Sequence, residues 1–125
     1  NGYKFEEDGK CFVFLTDNEL GFRHDGGLEY QDYLNFVQSA DLLIHDAEYT
    51  EKEYEKTRGW GHSSYPDALK LALNAGVKKL GLFHHNQERV DDEVELIVDE
   101  CQKEIARHET QLDCFAVRQG AQLFL

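Results

Sequence analysis

Apolar residues near the start of the chain are grouped in a way that predicts a β-hairpin. Residues 11–16 form a continuous apolar, β-branched and aromatic run, which is typical of a strand buried on both faces, and this run stops at Asp17. Residues 2–6 alternate weakly between apolar and polar positions, and two acids and a glycine at 7–10 separate them from the run. We therefore expect two short strands joined by a tight turn.

Further along the chain, strand-like runs alternate with helical spacing. Residues 42–44 and 79–83 predict two more buried strands. Apolar positions three and four apart predict three helices, over 28–39, from Ser64 as N-cap to Gly76 as C′ residue, and from Asp91 or Asp92 to Ala106. Charged residues at 51–56 predict one or two helical turns, and the polar, glycine-bearing residues 18–27 predict a loop. Residues 114–118 and 122–125 predict a terminal hairpin around Gly120.

This alternation is typical of an α/β fold with a mixed sheet, whose central strands lie side by side. No internal repeat or linker divides the chain, so we expect residues 1–125 to form a single, partial domain. The sequence contains no methionine, even at position 1. We therefore expect it to be a piece of a longer protein.

Charge and composition exclude several classes of function. With 13 basic and 25 acidic residues, the net charge is −12, which argues against a nucleic-acid or anionic-membrane surface made by these residues alone. No apolar run approaches the roughly 20 residues that span a bilayer, so we expect a soluble, cytoplasmic protein. Cys11, Cys101 and Cys114 are too few and too widely spaced for a disulfide framework or zinc ribbon, and we expect buried free thiols.

Ionisable residues follow the predicted strands where each strand ends. These residues are Asp17, the pair His45 and Asp46, and the pair His84 and His85, while His62 lies in a glycine-containing loop before a helix. Ligands of open α/β sheets bind outside the carboxyl ends of the strands, and carboxylate and imidazole groups there can hold Zn, Mn or Fe. Spacing alone does not decide between metal binding and simpler structural roles. Asp17 could cap a turn, His45, Asp46 and His84 could bond to the backbone, and His62 could be an exposed loop residue.

Five segments, taken in order, resemble the C-terminal half of a metallo-β-lactamase-fold hydrolase, nearest to the ribonuclease Z and cyclic-phosphodiesterase branch. They are Phe12-Val13-Phe14-Leu15-Thr16-Asp17, Ala40-Asp41-Leu42-Leu43-Ile44-His45-Asp46-Ala47, Gly61-His62-Ser63-Ser64, Leu80-Gly81-Leu82-Phe83-His84 and Ala116-Val117-Arg118-Gln119-Gly120. The resemblance implies helices on one face of the mixed sheet. The family's His-x-His-x-Asp-His motif is absent from this chain, so the N-terminal half of the fold is expected to lie outside it.

The resemblance also implies a role for each site residue. Asp17 and His84, carried on neighbouring strands, would bind two divalent ions, most simply Zn, with Mn or Fe as alternatives. The ions would activate a water for attack on phosphorus. His62 and Asp46 would be catalytic: His62 as proton donor or as charge partner of the phosphoryl oxygens, and Asp46, or His45, by orienting its neighbours.

The resemblance implies part of a dinuclear metal-dependent hydrolase that cleaves phosphodiesters. The net charge of −12 favours small or cyclic nucleotide-like substrates over structured RNA. The remaining metal ligands would come from the missing half or a second chain, and the exposed sheet face would favour that association or a homo-oligomer. The isolated piece is expected to bind metal weakly and to be inactive. The alternative is a metal-free α/β association module without catalytic activity.

Overall fold

The computed structural model of the chain describes residues 2–15, 30–46, 64–83, 91–108 and 110–117. Within these ranges there are five strands and three helices. The strands are β1 (Gly2–Glu7), β2 (Lys10–Leu15), β3 (Leu42–Asp46), β4 (Lys79–Phe83) and β5 (Asp113–Val117). The helices are α1 (Tyr30–Val37), α2 (Tyr65–Ala75) and α3 (Asp91–Arg107).

The five strands form one mixed sheet in the order β1-β2-β3-β4-β5. β1 and β2 are antiparallel, whereas β2, β3, β4 and β5 are parallel to one another. The hairpin turn places Asp8 and Gly9 at φ 51° and 77°, a left-handed pair whose twist suits a two-residue turn between strands. The predicted α/β fold, the first hairpin and the adjacent central strands are therefore confirmed.

The helices pack on one face of the sheet, as the resemblance implied. Alternate strand residues point to this face and enter the main hydrophobic core together with residues of all three helices. The strand residues of this core are Val13, Leu15, Leu43, Leu80, Leu82 and Cys114. The opposite face carries a band of aromatic rings, with centroids of successive neighbours 6.0–6.4 Å apart; its members are Phe5, Phe12, Phe14 and Phe83.

Helix α2 begins and ends where its capping residues predict. The Ser64 hydroxyl accepts a hydrogen bond from the Asp67 backbone N–H at 3.4 Å, and Pro66 lies in the first turn. Gly76 has φ 68°, and its N–H points back to the carbonyls of the last helical turn. Both predicted caps are confirmed.

Other element boundaries differ by a few residues from the prediction. Helix α1 ends at Val37, because Gln38 and Ser39 form a turn in which Ser39 has φ 60°. Strand β5 begins one residue before the predicted 114–118 and ends at Val117. The predicted loop at 18–27, the helical turns at 51–56 and the last strand at 122–125 lie outside the described residues.

All three cysteines are free thiols. Cys101 and Cys114 are buried as predicted, whereas Cys11 at the start of β2 is half-buried. Within the described part of the chain, no helix is long and apolar enough to cross a membrane.

Candidate functional site

Three parallel strands end at the same level along one edge of the sheet. Leu15 of β2 lies opposite His45 of β3, and His45 lies opposite Leu82 of β4. One residue further on, Asp46 lies opposite Phe83. We call this the carboxyl edge. In sequence, Asp17 follows the last residue of β2 by two positions and His84 follows the last residue of β4 directly.

The strands that precede Asp17 and His84 are not neighbours, which corrects one expectation. β3 lies between β2 and β4, so the ends of those two strands are separated by about two strand spacings, or ~10 Å. Asp46, as the last residue of β3, ends the strand between them. This order arises because β3 pairs with β2 on one side and with β4 on the other.

His45 is completely buried at this edge, although histidine is a residue type of only intermediate burial. It lies in the row of strand positions that also holds Leu15 and Leu82, both of which belong to the core on the helix face. The sequence analysis did not predict this burial. A signal was present, because His45 lies two residues after Leu43 and therefore on the same face of the strand.

The N-terminus of α2 also lies toward the carboxyl edge. The C-terminal end of α2 lies at the opposite edge, where Ser39 N–H donates to the Ala75 carbonyl at 2.8 Å and Lys78 N–H donates to the Ala40 carbonyl at 3.0 Å. A helix of 11 residues is about 16 Å long, close to the length of a five-residue strand. The buried Ser64 that caps α2 is therefore brought toward the ends of β3 and β4, and His62 precedes it by two residues in sequence.

Three predicted site residues, Asp17, His62 and His84, lie outside the described residues. For Asp46, the last residue of β3, the structure describes the backbone. Among the described residues, no three His, Cys, Asp or Glu side chains come together in a way that could hold a metal ion. The predicted metal and catalytic roles therefore stay predictions. Their support is that β2, β3 and β4, which end in or precede these residues, finish at the carboxyl edge.

The donors that follow these strand ends are of the right chemical type for divalent ions. A carboxylate and an imidazole both bind Zn, and a carboxylate can bridge two ions through its two oxygens. Two protein ligands cannot complete two sites, because a catalytic zinc takes about three protein ligands. Asp17 and His84 fit such a centre as part of its ligand set.

The opposite edge, which we call the amino edge, holds a described charged cluster. Asp41 accepts a hydrogen bond from the Cys11 backbone N–H at 2.7 Å and another from the Lys78 ammonium at 3.0 Å. The hydrogen bond from Cys11 and the bond from Lys78 hold the pKa of the Asp41 carboxyl below its usual range. This carboxylate binds the start of β2 and the turn before β4, and its partners lie within the described chain.

Several curated proteins are similar in sequence to this chain. It is 46% identical over 105 residues to ribonuclease Z of Sulfurisphaera tokodaii, an alignment covering 78% of this chain and 34% of that protein. It is 34% identical over 87 residues to ribonuclease Z of Brevibacillus brevis, covering 70% of this chain and 24% of that protein. The chain thus spans about a third or less of the length of these relatives. No family model matches the chain.

Solved structures share the fold. The metallo-β-lactamase fold protein YhfI from Bacillus subtilis superposes with a TM-score of 0.59 at 19% identity, over 94% of this chain and 40% of that one. The short form of human tRNase Z superposes with a TM-score of 0.54 at 28% identity, over 70% of this chain and 32% of that one. The predicted resemblance in fold is therefore confirmed.

One prediction from charge is wrong. The net charge of −12 led us to predict a small phosphodiester substrate and to argue against nucleic acid, whereas the curated relatives carry the name of a ribonuclease. The physical reason is that net charge sums over the whole surface, whereas phosphate binding depends on the field at one site. Bound cations can set that local field whatever the sign of the remaining surface.

Proposed function

We propose that the chain forms part of a metal-dependent hydrolase that cleaves phosphodiester bonds of RNA, because it is similar in sequence to ribonuclease Z and shares the metallo-β-lactamase fold with solved structures. The observation that carries this proposal is the carboxyl edge. There, the strands preceding Asp17 and His84 and the strand ending in Asp46 finish at one level. Ligands of α/β sheets bind at such an edge.

Residues 1–125 correspond, in this proposal, to the C-terminal half of the catalytic domain. The alignments, which cover about a third or less of each ribonuclease Z, support a part of a longer protein, and the C-terminal placement rests on the order of the resembling segments. The remaining metal ligands come from the other half, either in the same polypeptide or in a second chain. We also propose that the protein is cytoplasmic.

Asp17 and His84 are proposed as ligands of two divalent ions, with Zn as the first choice. Such ions, when bound, lower the pKa of a water and offset charge on a phosphoryl group. Asp17 contributes carboxylate oxygens from the end of β2, and His84 contributes an imidazole nitrogen from the end of β4. The intervening end of β3 separates the ends of β2 and β4 by about 10 Å, a spacing compatible with a pair of ions ~4 Å apart.

His62 and Asp46 are proposed as the catalytic residues. His62, two residues before the α2 cap, protonates the leaving oxygen or pairs with the phosphoryl oxygens. Asp46, at the end of the strand between the two ligand-bearing strands, accepts a hydrogen bond from a neighbouring group and orients it. The burial of the adjacent His45 anchors this strand end in the core.

The test uses the whole protein that carries this chain, a labelled tRNA-containing transcript, and elemental analysis of bound metal. Asp17→Ala and His84→Ala are expected to lower the cleavage rate by about 10³-fold or more and to reduce the metal content from about two ions per active site. The matched controls Asp99→Ala and His108→Ala change exposed residues of α3 or the turn after it, and should keep both rate and metal.

Two outcomes would contradict the proposal. Unchanged cleavage and metal content in both ligand variants would show that neither residue belongs to the centre. A complete protein that binds no divalent metal and cleaves no RNA would favour the alternative of an α/β association module.

A further inference from the structure

A groove that opens to solvent runs between α2 and α3, on the side of these helices that faces away from the sheet. Its volume is about 470 Å³, which lies within the range of ligand sites in proteins. Along α2 it extends from Tyr65 to Asn74, or roughly 13 Å, about two and a half helical turns. We call it the helix groove; it is lined by Tyr65, Leu69 and Leu73 of α2, and by Glu100, Glu104 and His108 of α3 and the turn after it.

The floor of the helix groove is apolar. Leu69 is 4% exposed and belongs to the core, whereas Tyr65 and Leu73 are half-buried and line the groove with the rest of their surface. Leu96 is 64% exposed and lies one helical turn before Glu100, so it continues the apolar surface along α3. Exposed apolar surface next to a groove is typical of a site that a second apolar face covers.

The wall that α3 contributes is negatively charged. Seven acidic and two basic residues give α3 a net charge of −5. Glu100 and Glu104 lie one turn apart on this wall and pair with the exposed Lys103 and Arg107 at 3.6 and 2.8 Å. Hydrogen bonds with His108 and Arg107 hold the pKa of the Glu104 carboxyl below its usual range. Because exposed ion pairs contribute little, both carboxylates can accept a further cation.

The wall that α2 contributes does not cancel this charge. The Lys70 ammonium lies 5.9 Å from the centroid of the Tyr30 ring, and the Asn74 side-chain amide donates to the Tyr30 hydroxyl at 2.9 Å. Tyr30 begins α1, and right-handed crossovers along the sheet place α1 and α3 on opposite sides of α2. The Lys70 charge is therefore directed toward α1, and the glutamates set the charge of the groove.

We propose that the helix groove binds a basic amphipathic helix of another polypeptide, with its apolar side chains on the groove floor and its Lys or Arg side chains against Glu100 and Glu104. This interaction is independent of the proposed RNA hydrolysis. A helix suits the space because side chains three or four residues apart form one ridge, which packs into the groove between two neighbouring helices. Its lysine or arginine stems add apolar contact while their charged ends reach the carboxylates.

The test measures binding of fluorescein-labelled peptides of about 18 residues, or five helical turns, to the whole protein that carries this chain. The probe has leucines three and four residues apart and lysines at the other positions. One control peptide has glutamate in place of lysine, and a second has the probe's composition with the leucines spread around the helix. Fluorescence anisotropy at ~0.15 M salt should give a dissociation constant on the order of 10 μM for the probe and about tenfold weaker binding for each control.

Surface variants separate the groove from the general negative charge of the chain. Glu100→Lys should weaken binding of the probe about tenfold, because repulsion replaces attraction. Asp99→Lys is the matched control: it makes the same charge change at the neighbouring exposed residue, which does not line the groove, and should weaken binding less than about threefold. Leu96→Ser should weaken binding by about threefold to tenfold through lost apolar contact. All three positions are exposed, so thermal unfolding should show that each variant stays folded.

Three outcomes would overturn the proposal. If the glutamate peptide binds as well as the probe, or if Asp99→Lys weakens binding as much as Glu100→Lys, the attraction does not come from the groove. If Leu96→Ser leaves the affinity unchanged, no apolar face is seated there. The absence of binding at about 1 mM probe also overturns it, and a clearly lower melting temperature of Glu100→Lys would then show that another part of the same polypeptide covers the groove.

Discussion

The two edges of the sheet use the same residue types in different ways. At the amino edge, Asp41 accepts hydrogen bonds from the Cys11 N–H and the Lys78 ammonium, and Lys78 N–H in turn donates to the Ala40 carbonyl. Each of these contacts joins the start of one strand to its neighbour. The carboxylate at this edge therefore stabilises the fold.

At the carboxyl edge, the strands end level but the ionisable residues come at or after their ends. Asp46 is the last residue of β3, and Asp17 and His84 follow β2 and β4 in sequence. A group placed there is not required to join the strands, since the backbone ladder already does so. The carboxylate before β3 thus has a structural role in the described contacts, whereas the one that ends β3 has a chemical role only in the proposed function.

The strongest test of this contrast replaces, one at a time, Asp41, which directly precedes β3, and Asp46, which ends it. Asp46→Ala should lower RNA cleavage by the whole protein by about 10²-fold, because an orienting group is lost, while the melting temperature stays nearly unchanged. Asp41→Ala should lower the melting temperature while the rate per folded molecule is retained. Thermal unfolding and single-turnover cleavage on the same samples would check both, and equal effects of the two changes would break the contrast.

A larger side chain at Gly81, which lies in β4 midway between the two edges, should destabilise the sheet at both edges. A Cβ at Gly81 would lie 2.5 Å from Ile44 Cδ1 and 2.6 Å from Val117 Cγ2, distances that require neighbouring side chains to move. Gly81→Val is expected to reduce the free energy of unfolding by about 1–3 kcal/mol or more through overpacking. Denaturant titration would measure this, with Lys79→Ala on the exposed start of β4 as the control.

The stabilisation that the Asp41 carboxylate provides at the amino edge should weaken in acid. Hydrogen bonds lower the pKa of Asp41 below its usual 3.8, so its stabilisation is fully present above that value and is lost as pH falls through the lowered pKa. Asp41→Asn should therefore melt several degrees below the wild type at pH 7, and the difference should shrink steadily below pH ~4. A difference independent of pH would show that charge on Asp41 does not contribute. Lys78→Met, which removes an exposed partner, should have a smaller effect.

The smallest expected effect concerns the α2 cap at the carboxyl edge. Ser64→Ala removes the acceptor for the Asp67 N–H and should cost about 1 kcal/mol of unfolding free energy. Ser64→Asp, which keeps a capping oxygen, should recover part of this loss if the buried position admits the larger group. A cleavage rate that falls with the cap, at a temperature where the protein stays folded, would link α2 to the position of the preceding His62.

Much of the fold could be predicted because its signals are local. The apolar run that forms β2 and the residues 79–83 that form β4 are strands because of their own composition, and β4 matches its predicted range. Ser64 and Gly76 mark the ends of α2 because capping depends on a single side chain or a single positive φ. The end of α1 was less predictable, since Ser39 adopts φ 60° without the glycine that usually signals such a stop.

The candidate site could be predicted only as a set of residues that follow strands. The sequence by itself determined that the chain is α/β, which residue types follow β2, β3 and β4, and that these types can bind metal. Only the tertiary structure decided that β3 separates the other two strands, that His45 is fully buried, and that Cys101 and Cys114 lie in the same core. The reason is physical: backbone propensity and side-chain chemistry act over a few residues, whereas strand order and burial depend on which distant segments pair.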